Sequence, residues 1–269
     1  MRHAICILTN DLTRFEIISR NFPANMPDLF VINDTRLGDK VDELKQIYSN
    51  ATFIKGKDIL DDFSNHENVS RFGIILKLLI PDYMFKNYDY DKILVIDDDI
   101  IVTDKISELF EINNNAVIRS PTVMDANDNV SSPRCKAIRL AVNAFNMPLD
   151  FKHQQFNGGQ VLYYKKLFNA DDYANALVEY ICNPTFTSVL NAQKSWATYA
   201  LDELFTTTFM VKYGFEYFSK YVHLHEKKYI DTDLTALDRK LKAKALVHIV
   251  TRINKLNIFR DLQREGIIK

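Results

Sequence analysis

Glycine is scarce, with seven residues in 269, and none falls in a GxGxxG or GxxxxGK spacing. The phosphate-cradling loops of dinucleotide-binding and P-loop proteins are therefore disfavoured. Cysteine is scarcer: Cys6, Cys135 and Cys182 are odd in number, far apart and form no CxxC. That excludes a closed thiolate zinc site, disfavours a disulfide scaffold, and fits small core thiols in a reducing, cytoplasmic compartment. No run approaches the roughly 20 apolar residues of a membrane span. The N-terminal Ala4-Ile5-Cys6-Ile7-Leu8 is too short for a signal sequence and meets polar Thr9-Asn10-Asp11 at once. An excess of one charge is also missing, since 34 Lys and Arg against 35 Asp and Glu leave a formal net charge of -1. No global field marks a nucleic-acid or membrane binder, so any such contact must be local. What remains is an ordinary globular composition, 47% hydrophobic and 26% charged, which rules out disorder as the main state.

Apolar runs alternate with helical patterns. Ala4 to Leu8 and Leu29 to Ile32 read as buried strands ending in Asn or Asp, Thr52 to Ile54 as a weaker strand, and Phe15, Ile17 and Ile18 as a helical face. Phe72 to Leu79 predicts a buried helix stopped by Pro81, followed by the clearest strand, Ile93 to Ile96. Beyond a break at Asn113 to Asn115 come a strand at Ala116 to Ile118, another at Gln160 to Tyr164, and helices around Ala174 to Ile181 and Ala200 to Phe209. No linker or internal repeat is found, and Ser131-Ser132-Pro133 is the best loop or subdomain candidate. This order predicts an α/β fold, a mainly parallel sheet flanked by helices.

Asp97-Asp98-Asp99 follows the clearest strand directly, at the edge where open α/β sheets bind ligands. If the segment is extended, Asp97 and Asp99 point to one side. Two adjacent carboxylates repel unless a cation or proton lies between them, and a hard divalent ion bridging to phosphate oxygens meets that need. The plainer alternative is a turn or helix cap. Against it, the acids interrupt a hydrophobic segment that resumes at Ile100-Ile101-Val102, and burying uncompensated charge there costs several kcal/mol per ion.

The stretch from Asp89 to Val102, DYDKILVIDDDIIV, closing with Leu109-Phe110, resembles the strand and DxD motif of GT-A fold glycosyltransferases of family 8, roughly DYDKVLYLDADILV. The resemblance implies a GT-A, Rossmann-like fold and transfer of a sugar from a nucleoside diphosphate sugar with retention at the anomeric carbon. It implies Asp97 and Asp99 as ligands of Mn2+ or Mg2+, and Asp98 beside the donor ribose or sugar. It also implies one domain over residues 1–269: a nucleotide-binding half at 1–115, a sugar and acceptor half at 116–250, and a basic segment at 251–269.

Further segments resemble the family in order. Ile75 to Pro81 is similar to its RLLIP helix, with Lys77 at the position of a donor-contacting basic residue and Arg71 as a second candidate. Phe156-Asn157-Gly158-Gly159-Gln160-Val161-Leu162 resembles F-N-(S/A)-G-V-x-L, where the Asn binds the sugar and small residues let the backbone approach. Asn157 and Gly158 are thereby donor-binding candidates and Gln160 a catalytic one; a plain turn entering a strand is the alternative. Leu201 to Phe205 corresponds to the family's Asp-Gln pair, but Glu203 replaces the Gln beside Asp202. A carboxylate beneath the anomeric carbon could be a nucleophile or an ion-pair stabiliser of an oxocarbenium ion, against the alternative of an acid pair on an exposed helix face. Leu246-Val247-His248-Ile249 resembles the strand whose His completes the metal site, with His223 and His225 as competitors. The glycine, proline and tryptophan that follow that His in the family are missing, and the lysine comes one place late, which leaves Lys255 or Arg252 for the pyrophosphate. By position, Leu8, Thr9, Asn10 and Asp11 would take the nucleobase of a UDP-sugar.

Two rivals differ in class. A haloacid-dehalogenase-like phosphohydrolase also sets an aspartate pair after an apolar strand, but it wants a small residue where Ile101 stands. A non-catalytic sugar-binding domain would be favoured had either outer aspartate been lost. The acceptor is left open between a saccharide or lipooligosaccharide and a hydroxymethylated base in phage DNA. From Arg239 to Lys269 nine basic residues face only Asp261 and Glu265, a solvated helix face, a membrane-surface patch or a phosphate-backbone contact.

Overall fold

A computed structural model describes residues 1–63, 73–129, 131–192, 201–218, 221–225, 242–250 and 255–269. The described chain forms two compact units interleaved along the sequence. The N-terminal unit comprises His3–Gly56, Ile96–Asn113 and Phe218–Lys269; the central unit comprises Met1–Arg2, Lys57–Val95 and Asn114–Tyr217.

In the N-terminal unit, β1 (His3–Thr9), β2 (Asp28–Asn33) and β3 (Thr52–Lys55) pair in parallel in the order β3-β2-β1. Ala4 to Ile7 and Leu29 to Ile32 are almost wholly buried, as continuous apolar runs in a parallel sheet should be. Helix α1 (Leu12–Ser19) follows β1 at once because the Asp11 carboxylate caps it, accepting from the Arg14 amide. Helix α2 is Val41–Ile47. A second sheet orders β5 (Ile100–Val102), β10 (Leu246–Val250) and β9 (Tyr221–His225) as β5-β10-β9, antiparallel then parallel. The C-terminal helix α9 (Lys255–Arg264) buries Ile258, Phe259 and Leu262 and packs on α1 and β10.

The central unit holds α3 (Gly56–Asp62) except its first residue, α4 (Gly73–Asn87), β4 (Lys92–Asp97) as far as Val95, β6 (Ala116–Asp125), α5 (Pro133–Ala144), β7 (Lys152–Tyr164), α6 (Ala170–Cys182), α7 (Pro184–Asn191), α8 (Leu201–Tyr213) and β8 (Glu216–Tyr217). Its strand order is β4-β7-β6-β8, with β6 antiparallel to β7 and parallel to β8. The core is aromatic: Phe145 packs at a tilt 4.8 Å from Phe205, and Tyr173 meets Phe209 edge-on at 5.1 Å. Such pairs contribute about 0.5–1.5 kcal/mol each beyond their buried area, and these fix α8 between α5 and α6.

The α/β class is as expected, a mixed and mainly parallel arrangement flanked by helices. Four local expectations change. Helix α4 runs through Pro81 to Asn87. Proline removes one backbone donor without ending this helix, and in the same turn the Tyr173 hydroxyl donates to the Leu78 carbonyl at 2.7 Å. The aspartate triplet is not extended: β4 ends at Asp97, and Asp98-Asp99 turn the chain into β5, so period-two alternation does not apply. Gly158 and Gly159 lie inside the thirteen-residue strand β7, not in a turn before it. Ser132 and Pro133 start α5, the serine hydroxyl accepting from the Cys135 amide. Among the described residues no helix is long and apolar enough to cross a membrane.

Candidate active site

Among the described residues, two clusters of the predicted polar side chains are buried, one in each unit. In the N-terminal unit, β1, α1 and the turn after β4 surround Asp98, which is 5% exposed. Its Oδ2 accepts from the Thr9 hydroxyl at 2.9 Å and the Asn10 amide at 3.1 Å, and the Arg14 guanidinium stands 3.2 Å from Oδ1 and 3.3 Å from Oδ2. Burial pushes the Asp98 carboxyl up to about 6, against the pull of Arg14. Thr9 and Asn10 thus converge on Asp98. Leu8 is buried in β1, and Asp11 is committed to its helix cap.

Asp99 faces the other sheet. Because β5 pairs with β10, His248 stands opposite Ile100, and the Ile249 amide donates to the Asp99 carbonyl at 2.9 Å. His248 Nε2 lies 3.2 Å from Asp99 Oδ1, while Lys255, the first residue of α9, ion-pairs with Oδ2. Burial alone would raise the Asp99 carboxyl; His248 and Lys255 together hold it well below the usual carboxylate range. The contact with His248 is not aligned as a hydrogen bond, and Asp99 Oδ1 is buried without one. Asp97, at the end of β4, is partly exposed. Among the described residues no three His, Cys, Asp or Glu side chains are gathered tightly enough to grip one ion; Asp99 and His248 are brought together, and Asp97 is not drawn into the pair. Carboxylate oxygen and neutral imidazole nitrogen suit Mn2+ or Mg2+, and the orphaned Oδ1 is a buried lone pair of the kind such an ion takes, so these residues fit a divalent metal.

Asp34 and Arg36 were not singled out in the sequence. Asp34 is fully buried at the end of β2; its amide donates to the Thr9 carbonyl at 2.9 Å, and its carboxylate takes the Arg36 guanidinium, with Nε 3.0 Å from each oxygen. That hydrogen bond, with the charges of Asp97 and Asp98 behind it, raises the guanidinium further. The available signal was that Asn33-Asp34 ends β2 as Asn10-Asp11 follows β1.

In the central unit the acid pair is not on an exposed face. Asp202 and Glu203 open α8, which is buried along most of its length, Asp202 to 9% exposure. Lys77 of α4 approaches Asp202 Oδ2 at 3.7 Å. Glu203 Oε1 accepts from the Gly158 amide at 3.0 Å and Oε2 from the Gln155 amide group at 2.7 Å. Burial, then Asp202, push the Glu203 carboxyl up to about 7, while Gly158, Lys77 and Gln155 pull the other way. Asn157 Oδ1 accepts from the Gly159 amide at 2.9 Å and from Gln160 at 2.8 Å, Gln160 itself being fully buried. Gln155 and Arg134 complete this cluster and were also missed. Arg71 and Arg252 lie outside the described residues, as do the side chains of His223 and His225.

A family model described as glycosyl transferase family 8 matches residues 25–204. Solved structures similar to the chain include an active-site mutant of LgtC, at 14% identity and TM-score 0.49, covering 98% of this chain and 96% of that one. Another is LgtC in complex with donor and acceptor sugar analogues, at 13% identity and TM-score 0.45, with the same coverage. The apo form of mouse xyloside xylosyltransferase 1 matches at 12% identity and TM-score 0.48, over 94% of this chain and 98% of that one. No curated protein matches the chain.

Proposed function

The chain belongs to glycosyl transferase family 8 and is a glycosyltransferase; from that premise we propose that it moves a hexose or pentose from a UDP-sugar to a saccharide hydroxyl, with retention and with a divalent metal. Family membership displaces the phosphohydrolase and the non-catalytic sugar-binding readings.

The observation that carries the proposal is the setting of Glu203. Both of its oxygens accept from groups that can only donate there, a backbone N–H and a side-chain amide, so the carboxyl is oriented before any substrate arrives and both contacts favour its ionised form against burial. A transferring sugar develops positive charge at the anomeric carbon, and a preorganised carboxylate stabilises that charge in the transition state more than in the ground state. Asp202, with Lys77 beside it, would fix sugar hydroxyls from the same helix end, Asn157 would add its amide, and Gln160 holds Asn157 in place.

The opposite charge develops on the departing diphosphate. Asp97, Asp99 and His248 would hold the ion, Mn2+ or Mg2+, which when bound neutralises phosphate charge. Lys255 would release Asp99 to the metal and turn its ammonium to the diphosphate. Thr9, Asn10 and Asp11, with Leu8, would take the nucleobase and Asp98 the ribose side of the donor, Arg14 keeping Asp98 in place.

A thermal-shift screen of UDP-, GDP- and CDP-sugars, each with and without Mn2+, tests the donor class, because a ligand of the folded state raises its melting point. A shift with UDP-sugars that needs Mn2+ is expected. Stabilisation by GDP- or CDP-sugars alone would overturn the donor assignment. Proton NMR of the glycoside formed reads the stereochemistry, and a product inverted at the anomeric carbon would end the retaining reading.

A further inference from the structure

One chain of hydrogen bonds in the central unit reaches Glu203 from outside the motifs. Arg134, in the first turn of α5, donates from Nη2 to Gln155 Oε1 at 2.9 Å and to the Val123 carbonyl at 3.2 Å. Gln155, 5% exposed on β7, donates from Nε2 to Glu203 Oε2 at 2.7 Å. A guanidinium has no acceptor, so the Gln155 carboxamide can face it only with its oxygen. The amide nitrogen must then face Glu203, and Glu203 must accept. With the Gly158 N–H on the other oxygen, the protonated form of Glu203 would have to give up one of two short contacts.

We infer that Arg134 and Gln155 are positioning residues for the transfer: Arg134 locks the Gln155 carboxamide in the orientation that keeps Glu203 an oriented anion at the sugar. This rests on the reading that Glu203 opposes the charge of the transferring sugar. The relay is needed because the surroundings otherwise favour the neutral acid. Burial and Asp202 raise the carboxyl to about 7. The groups facing it are Lys77 from α4, Arg134 from α5, Asp202 on α8 itself, and from β7 only the neutral donors Gln155 and Gly158; Tyr180 of α6 donates to the Leu201 carbonyl at 3.1 Å. Without the amide donor, the fraction of Glu203 ionised near neutral pH falls.

The test uses Gln155→Met, close in volume, with Arg134→Met and Arg134→Lys, and two readouts. The first is the pH profile of UDP release from UDP-glucose, UDP-galactose and UDP-N-acetylglucosamine with Mn2+. The second is the side-chain carboxyl 13C resonance of Glu203, assigned by its loss in Glu203→Gln. Losing one hydrogen bond to a charged group moves a carboxyl by about one pH unit. Gln155→Met and Arg134→Met should therefore shift the acid limb and the 13C titration upward by about that much. Turnover should fall about tenfold below pH 7 and recover above pH 8, with donor KM changed less than about twofold, and Arg134→Lys should restore most of it. An unmoved 13C titration in folded Gln155→Met overturns the relay. A shifted titration alongside full turnover in Glu203→Gln upholds the relay and refutes the role of Glu203 in transfer, so the two failures are distinct.

Discussion

The backbone of Gly158 passes so close to Asp202 that a Cβ at position 158 would stand 2.8 Å from Asp202 Oδ2, and 2.9 Å from Glu203 Cγ. Glycine is there for closeness of approach: among the described residues the glycines in the left-handed region are Gly38, Gly214 and Gly266. Gly158→Ala should therefore push both acids from their places while leaving the strand paired. We expect turnover to fall more than about tenfold, with a stability cost of about 1–3 kcal/mol, read by kinetics and urea unfolding of the same preparation. Wild-type turnover in the variant would show that the position of the acid pair is unimportant.

Glu203 also makes stability depend on pH. Its ordinary value of 4.5 rises to about 7 on folding, so the folded state holds the proton more tightly. The stabilisation is complete below the lower value and is lost as pH climbs through the upper one. Glutamine at this position does not titrate. The stability of the wild type minus that of Glu203→Gln should fall between about pH 5 and pH 7 and level off above pH 8. Urea unfolding at four pH values measures it, and a difference that grew with pH would reverse the assignment.

Much of this was legible in the sequence where information is local. Ile93 to Ile96 and the aspartates after it could be placed because a run of apolar residues without alternation suits only a buried element. The glycines at 158 and 159 signal close approach in the sequence, and at Gly158 the structure shows it; what the sequence does not give is the partner, the acid pair of α8 more than 40 residues on. Pro81 reads as a helix stop because the missing donor is a local cue, whereas the packing around α4 is not local, as the Tyr173 hydroxyl on Leu78, 95 residues away, shows. Arg14 lies 84 residues from Asp98 and Gln155 48 from Glu203, so each reads alone as an ordinary polar residue until the fold supplies its partner.

Arg14 is the cation inside the Asp98 cluster, its side chain 16% exposed against 7% for Asp98. Arg14→Met keeps the apolar stem and deletes the charge, leaving a buried carboxylate with only Thr9 and Asn10. A loss of about 2–4 kcal/mol is expected. Adding Asp98→Asn should recover part of it, with a coupling of about 1–3 kcal/mol in the double-mutant cycle. Strict additivity would mean that Arg14 contributes by packing its stem alone.

The ion pair of Lys255 and Asp99 gives the proposed metal site a test that does not need turnover. Asp99 is a buried carboxylate with Lys255 on one oxygen and no hydrogen bond on the other. In the metal-free protein Lys255 is the cation that makes this burial tolerable. Lys255→Met should therefore lower the melting temperature in EDTA by several degrees, since about 2–4 kcal/mol is lost when a buried charge loses its partner and each kcal/mol moves a chain of this size by roughly 2–4 °C. On the proposed metal site, an ion held by Asp97, Asp99 and His248 would supply the missing charge, so millimolar Mn2+ should restore most of the difference and should stabilise the variant more than the wild type, in which Lys255 would first have to be displaced. Asp99→Asn should abolish the Mn2+ response in both backgrounds, and Asp97→Asn should weaken it. Equal Mn2+ shifts in wild type, Lys255→Met and Asp99→Asn would place the ion elsewhere, because a metal that does not compete with Lys255 for Asp99 cannot register the loss of either.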